Sequence, residues 1–114
     1  LPGGAGSALI LPTAKRTILW RTQHTPRSLV ERLDFVTATG NVDRLVTPLC
    51  VFRRDDGVFT LEALAPGATV ERVRQATGFF FHAPHAPPEL APTAAELHAL
   101  AEVDSRRVRD VEFR

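Results

Sequence analysis

Three glycines in four positions, Gly3, Gly4 and Gly6, are the residues of this sequence whose spacing most directly suggests chemistry. A glycine run lets backbone N–H groups approach a ligand oxygen, because no Cβ stands in the way. Phosphates and developing oxyanions are the groups that such donors hold. A phosphate-cradling loop needs a strand before it, and only Leu1 and Pro2 precede this one. The residues alone leave two alternatives, backbone donors for a ligand or a flexible end. His24 is the second candidate. It follows the apolar run Ile18–Leu19–Trp20 at an expected strand-to-helix junction, and open α/β sheets bind ligands at the carboxyl ends of their strands. The plainer alternative is a histidine that satisfies a backbone group.

The remaining reactive side chains read as structural. His82 and His85 have H-x-x-H spacing but flank prolines, with no cysteine or acidic cluster to complete a metal set. Cys50 stands between Leu49 and Val51–Phe52, the setting of a core residue rather than a nucleophile. Asp34, Asp43, Asp55, Asp56 and Glu62 fall in turns or on polar faces, and nothing pairs Glu62 with a base. No serine stands in a G-x-S-x-G elbow.

The elements that must carry these residues follow from periodicity and punctuation. "TILWRTQ", 17–23, predicts a strand buried on both faces, because three bulky residues stand in succession. In "HTPRSLVERLDF", Thr25 and Pro26 suit an N-cap and first helical position, and Leu29, Val30 and Leu33 share a face, which predicts a short helix. "TATGN" predicts a turn. "RLVTPLCVFRR" predicts one strand with Pro48 near its start, and "DDG" a hairpin turn into an antiparallel partner, "VFTLEALA". Thr69 caps a predicted helix through "VERVRQAT", with Gly78 at its C′ position. "FFFH" predicts a last short strand. Residues 83–92 form a proline-rich linker. Thr93 and Glu96 make a capping box for a final helix, with Leu97, Leu100 and Ala101 on its apolar face. The charged tail "SRRVRDVEFR" would be loose by itself. The layout is α/β, an open mixed or mostly parallel sheet with flanking helices.

The totals bound the function. At 114 residues the chain has room for one small domain, with 44% apolar and 24% charged residues. A net charge of +1 argues against nucleic acid or an anionic membrane as partner. One cysteine cannot form an intrachain disulfide, which points to a reducing, cytoplasmic setting. No apolar run approaches the ~20 residues of a membrane span. The absence of methionine and the abrupt opening predict that residues 1–114 are a fragment, the alternative being a native protein with its start removed.

Four stretches resemble the C-terminal half of the β subunit of class I coenzyme A transferases, of the glutaconate and 3-oxoacid type. "PGGAGSALILPTAKRTILW" is similar to that family's glycine loop and the "AKR" strand after it. "QHTPRSLVERLDFVTATG" is similar to its segment in which a histidine precedes a helix. "DRLVTPLCVF" resembles an "R-I/V-V-T-x-L-A-V-F" strand. "LEALAPGATVERVRQATGF" resembles "L-x-E-L-x-P-G-V-T-V-E-E-V-R-x-A-T-G", the most specific of the four. The last helix and "DSRRVRD" also resemble the end of glutaconate-type β subunits.

The resemblance implies the open α/β fold of the CoA-transferase superfamily. It implies an enzyme that moves CoA between carboxylic acids through a γ-glutamyl-CoA thioester. Coenzyme A is then a substrate, without metal or redox cofactor, and the partners are an α subunit, an acyl-CoA and a carboxylic acid. Backbone at Gly3, Gly4, Ala5 and Gly6 would face the thioester oxygen, and His24 would line the pocket. The family's nucleophilic glutamate lies in an E-N-G-like motif of the other half. No E-N-G occurs here, so no catalytic residue is expected in these 114 residues. Ala8 and Leu9 stand where relatives place Asp or Asn, and Gln23 where they often have Glu. Branch members without the nucleophile hydrolyse CoA esters, which leaves a hydrolase as one alternative and a non-catalytic interaction module as another.

Overall fold

The computed structural model describes residues 4–113. Its centre is a β-hairpin. β3 (Cys50–Asp55) and β4 (Val58–Leu64) pair antiparallel, closed by a two-residue turn at Asp56 and Gly57. Both turn residues have positive φ, 48° and 86°, the conformation that matches the natural twist of paired strands. The hairpin stands where "DDG" predicts it.

The strand expected to begin at Arg44 is two strands. β2 (Val42–Val46) ends before Thr47, and β3 starts at Cys50, antiparallel to it. Pro48 lacks the N–H a continuing ladder needs, so the chain turns there. β1 (Thr17–Trp20) pairs parallel with β2, and β5 (Phe81–His82) parallel with β4. The sheet is therefore mixed, and its strand order follows chain order, β1-β2-β3-β4-β5.

The core lies on one face. Phe52 is fully buried, and its ring packs against Phe59, Phe79 and Phe81 with centroids 5.9, 5.6 and 4.9 Å away. Tilted and edge-on contacts of this kind add to plain area burial. α2 (Val70–Ala76) covers these rings through fully buried Val73, and Leu29 closes the side. Thr69 caps α2 by accepting the Arg72 N–H at 3.2 Å, as the sequence predicts.

Further expectations fail, each for a physical reason. β1 is an edge strand, not a central one, and stops at Trp20 rather than Gln23. Ile18 and Trp20 are each 55% exposed, because they stand beside Arg44 and Val46 on the face away from the core. The predicted helix after Thr25 is a single turn, in which Ser28 and Leu29 N–H groups bond the Thr25 carbonyl. Leu33, Phe35 and Val36 are exposed, so no packed face rewards a second turn. The glycine stretch opens a helix, α1 (Ala5–Thr13), instead of a free loop. Gly78 is not a left-handed C′ residue. Its N–H donates to the Leu29 carbonyl at 2.6 Å, and a Cβ there would lie 2.7 Å from that oxygen.

Beyond β5, Pro88 and Leu90 bond to the backbone of Leu64, so part of the proline-rich linker lies along the end of β4. α3 (Ala94–Val103) forms behind the predicted capping box, with Thr93 and Glu96 bonding reciprocally. Leu97 and Leu100, expected on an apolar inner face, are 51% and 41% exposed. A 3-10 helix, Val108–Phe113, ends the described chain, tied back by Asp104 to the Val108 N–H.

Candidate functional site

The glycine stretch and His24 are placed by different elements. Gly4 is the N-cap of α1, and its carbonyl accepts the first helical bond, from Ala8 N–H at 2.8 Å. The N–H groups of the first turn, at Ala5, Gly6 and Ser7, have no acceptor within the helix, as at any helix start. The two described glycines differ. A Cβ on Gly4 would meet Thr37 Cγ2 at 2.1 Å, so its bareness serves packing against the 37–40 loop. A Cβ on Gly6 would meet nothing within 4 Å. Gly6 is exposed, so packing does not explain its bareness. Gly3 lies outside the described residues.

His24 lies half-buried where the chain leaves β1. One ring nitrogen, Nδ1, is 2.8 Å from Thr47 Oγ1, and the other, Nε2, is 2.8 Å from Thr77 Oγ1. The ring tilts against Phe52 at 6.1 Å. Burial holds the imidazole below its ordinary pKa of 6.5. Its hydrogen bonds thus join it to the β2–β3 turn and to the end of α2, and none joins it to the glycine stretch. Thr47 and Thr77 are partners that the sequence reading misses. Thr47 carries only a turn signal before Pro48, and Thr77 follows the last residue of α2, so neither bears a mark of its role.

Cys50 is 1% exposed with its thiol pushed up to about 11, chiefly by burial. It is a core residue, in agreement with its neighbours in sequence. No group of three or more His, Cys, Asp or Glu able to hold a metal occurs among the described residues. Among the clefts that touch the sheet are two of similar size. One, of about 460 Å³, is polar and lined by Lys15, Arg16, Asp43, Arg54 and Asp56. The other, of about 470 Å³, is bounded by Val46, Val51, Ala63 and Leu90, with the Arg44–Glu62 ion pair as its charged wall. Neither is lined by Gly4, Ala5, Gly6 or His24. Among the described residues no helix is long and apolar enough to cross a membrane.

The fold and these residues define an open mixed α/β domain whose first described helix starts at a glycine. The chain belongs to the coenzyme A transferase family, whose family model matches residues 1–76. The match takes in the glycine stretch, His24, the hairpin and α2.

Solved structures agree. The decarboxylase AibA/AibB is 27% identical, with a TM-score of 0.81 over 97% of this chain and 47% of its own. IpdAB of Rhodococcus jostii RHA1 is 29% identical, with a TM-score of 0.72 over 87% of this chain and 47% of its own. Glutaconate coenzyme A-transferase from Acidaminococcus fermentans is 22% identical, with a TM-score of 0.73 over 98% and 48%, and supports the fold alone. The chain spans about half the length of the solved structures it matches. No curated protein matches it.

Proposed function

We propose that this chain is the C-terminal half of a β-type subunit of an acyl-CoA:carboxylate CoA-transferase. The observation that carries the reading is the family match over residues 1–76 on a domain that fits one half of each solved relative. A carboxylate supplied by the other half attacks the thioester carbonyl, and that carbonyl oxygen becomes anionic. Backbone N–H groups from Gly3 to Gly6 stabilise the oxyanion, and donors already fixed in place are worth a few kcal/mol to such a transition state. In this reading His24 contributes to the wall of the pocket. Coenzyme A takes part as substrate. An α-type subunit completes the assembly, and the paired names AibA/AibB and IpdAB support a two-component organisation. The proposed setting is the cytoplasm.

One observation favours a second reading. A relative of 27% identity is a decarboxylase, so this scaffold is compatible with other reactions. Hydrolysis of a CoA ester is the third outcome, and a non-catalytic module the fourth.

One experiment separates them. The complete subunit and its partner are incubated with an acyl-CoA donor and a carboxylate acceptor. Exchange of CoA between acids, with an enzyme thioester sensitive to hydroxylamine, supports transfer. Release of free CoA without exchange indicates hydrolysis, and release of CO₂ indicates decarboxylation. No turnover by the complete assembly indicates a module. The 114-residue chain by itself is expected to transfer no CoA, because the E-N-G nucleophile motif is absent from it. Turnover by the isolated chain overturns the proposed location of the active site.

A further inference from the structure

Three segments meet around His24: the chain leaving β1, the turn between β2 and β3, and the end of α2. The hydrogen atoms in this junction can be counted. The Thr77 hydroxyl donates to the Val73 carbonyl at 2.7 Å, which uses its one hydrogen. Toward His24 it can only accept, so Nε2 must carry a proton. Thr47 Oγ1 accepts the backbone N–H groups of Leu49 and Cys50 at 3.2 and 3.1 Å, which fills its two lone pairs. Its one hydrogen can go to His24 Nδ1 at 2.8 Å or to the Cys50 carbonyl at 3.1 Å. A neutral ring protonated at Nε2 has a lone pair at Nδ1, and it takes that hydrogen. In this state both threonine hydroxyls and both ring nitrogens are satisfied, and only the weak Cys50 thiol donor, 3.7 Å from Thr47 Oγ1 and 4.0 Å from Nδ1, shares an acceptor already in use.

A second proton on the ring breaks the arrangement. Nδ1–H would then point at an oxygen that already accepts two backbone donors. Either the ring leaves Thr47, or the turn at 47–50 gives up one of its N–H bonds. We propose that His24 is a proton-operated latch, which as a neutral imidazole ties α2 to the β2–β3 turn and on taking a second proton releases them.

The surroundings do not hold the charged form in place. The titratable group at hand is the Cys50 thiol, with Sγ 4.0 Å from Nδ1, and it stays neutral up to about 11. The Phe52 ring and the two threonines are uncharged. Arg74, in the last turn of α2, lies over the Phe81 ring instead. Arg21 and Arg27, on the segment that carries His24, are exposed. The folded ring binds its proton less tightly than the unfolded one, whose pKa is the ordinary 6.5. The contribution to stability is therefore complete above 6.5 and is lost as pH falls through the lower folded value.

The test is nitrogen–proton correlation NMR on the chain labelled with nitrogen-15. The expected result is an Nε2–H tautomer at neutral pH, titrating below 6.5. An Nδ1–H tautomer, or titration at or above 6.5, overturns the proposal. Urea midpoints at pH 7.5 and 5.5 give a second reading. The parent is expected to lose stability between them and His24→Gln to lose clearly less. A variant that keeps the whole pH difference overturns the latch. If His24→Gln does not fold, the tautomer and titration of the parent decide.

Discussion

A methyl group added at Gly6 would meet nothing, whereas one at Gly4 would collide with Thr37. This difference separates two reasons for a glycine that sequence alone merges. Gly4 is bare so that α1 can start against the 37–40 loop. Gly6, in the first turn of α1, has no such neighbour, so packing alone does not call for a glycine there. A bare residue also leaves room for the backbone to be approached from outside. In the complete enzyme Gly6→Val is therefore expected to lower kcat at least ~10-fold, equivalent to about 1.4 kcal/mol of lost transition-state stabilisation. Its denaturation midpoint should stay close to the parent's. Gly4→Val should lose stability as well as rate. Steady-state kinetics beside urea melts check both, and an unchanged kcat for Gly6→Val would rule out the oxyanion role.

At the scale of elements, legibility followed the range of the deciding interaction. The β3–β4 hairpin, α2 and α3 are announced by residues within a few positions: Asp56–Gly57, Thr69, and Thr93 with Glu96. α1 is hidden, because glycines and Pro12 argue against helix on any propensity scale. The segment after Thr25 carries good helix-start residues, yet Leu33, Phe35 and Val36 find no described partner surface. Trp20 reads as core, but strand order puts it on the outer face of an edge strand. The His24 partners could not be read, since Thr47 and Thr77 lie 23 and 53 residues away along the chain. α3 buries none of its residues among those described, so its capping box matters more than usual. Thr93→Ala is expected to fray α3 selectively. Amide exchange across 94–103 should accelerate while the hairpin amides keep their protection, and equal loss in both would contradict this independence.

Across the whole molecule, charge pairing sets the acid limit. Arg44 holds the Glu62 carboxyl below its ordinary range through a two-pronged bond of 2.7 and 2.8 Å. Burial pushes Asp43 upward, but Arg16 and Arg44 outweigh it, and the net shift is downward. The Thr93 N–H lowers Glu96. Each folded carboxyl releases its proton more readily than the unfolded one. Their contribution is complete above the ordinary values of 3.8 and 4.5, and it is lost as pH falls through the lower folded values. Urea midpoints are expected to drop further below pH 4.5. Arg44→Gln should shrink that acid step, and an unchanged step would show that the pair contributes nothing measurable.

The strand order bears on how the chain reaches its fold. Neighbours in the sheet are neighbours in sequence, so the β3–β4 pair closes over two residues and β2 joins over three more. Short loops cost little closure entropy, and folding rates fall as contacts grow more distant in sequence. The outer strands are dearer. β1 must cross from Trp20 to Val42, and β5 must wait for α2 to form between Leu64 and Phe81. The sheet thus has a seed at its centre and latecomers at both margins. In a pulse-labelling refolding experiment the amides of 50–64 should gain protection first and those of 17–20 last. The margin expected last is the one that carries Trp20, the chain's only tryptophan, so its fluorescence would time the final stage of assembly rather than the collapse of the core.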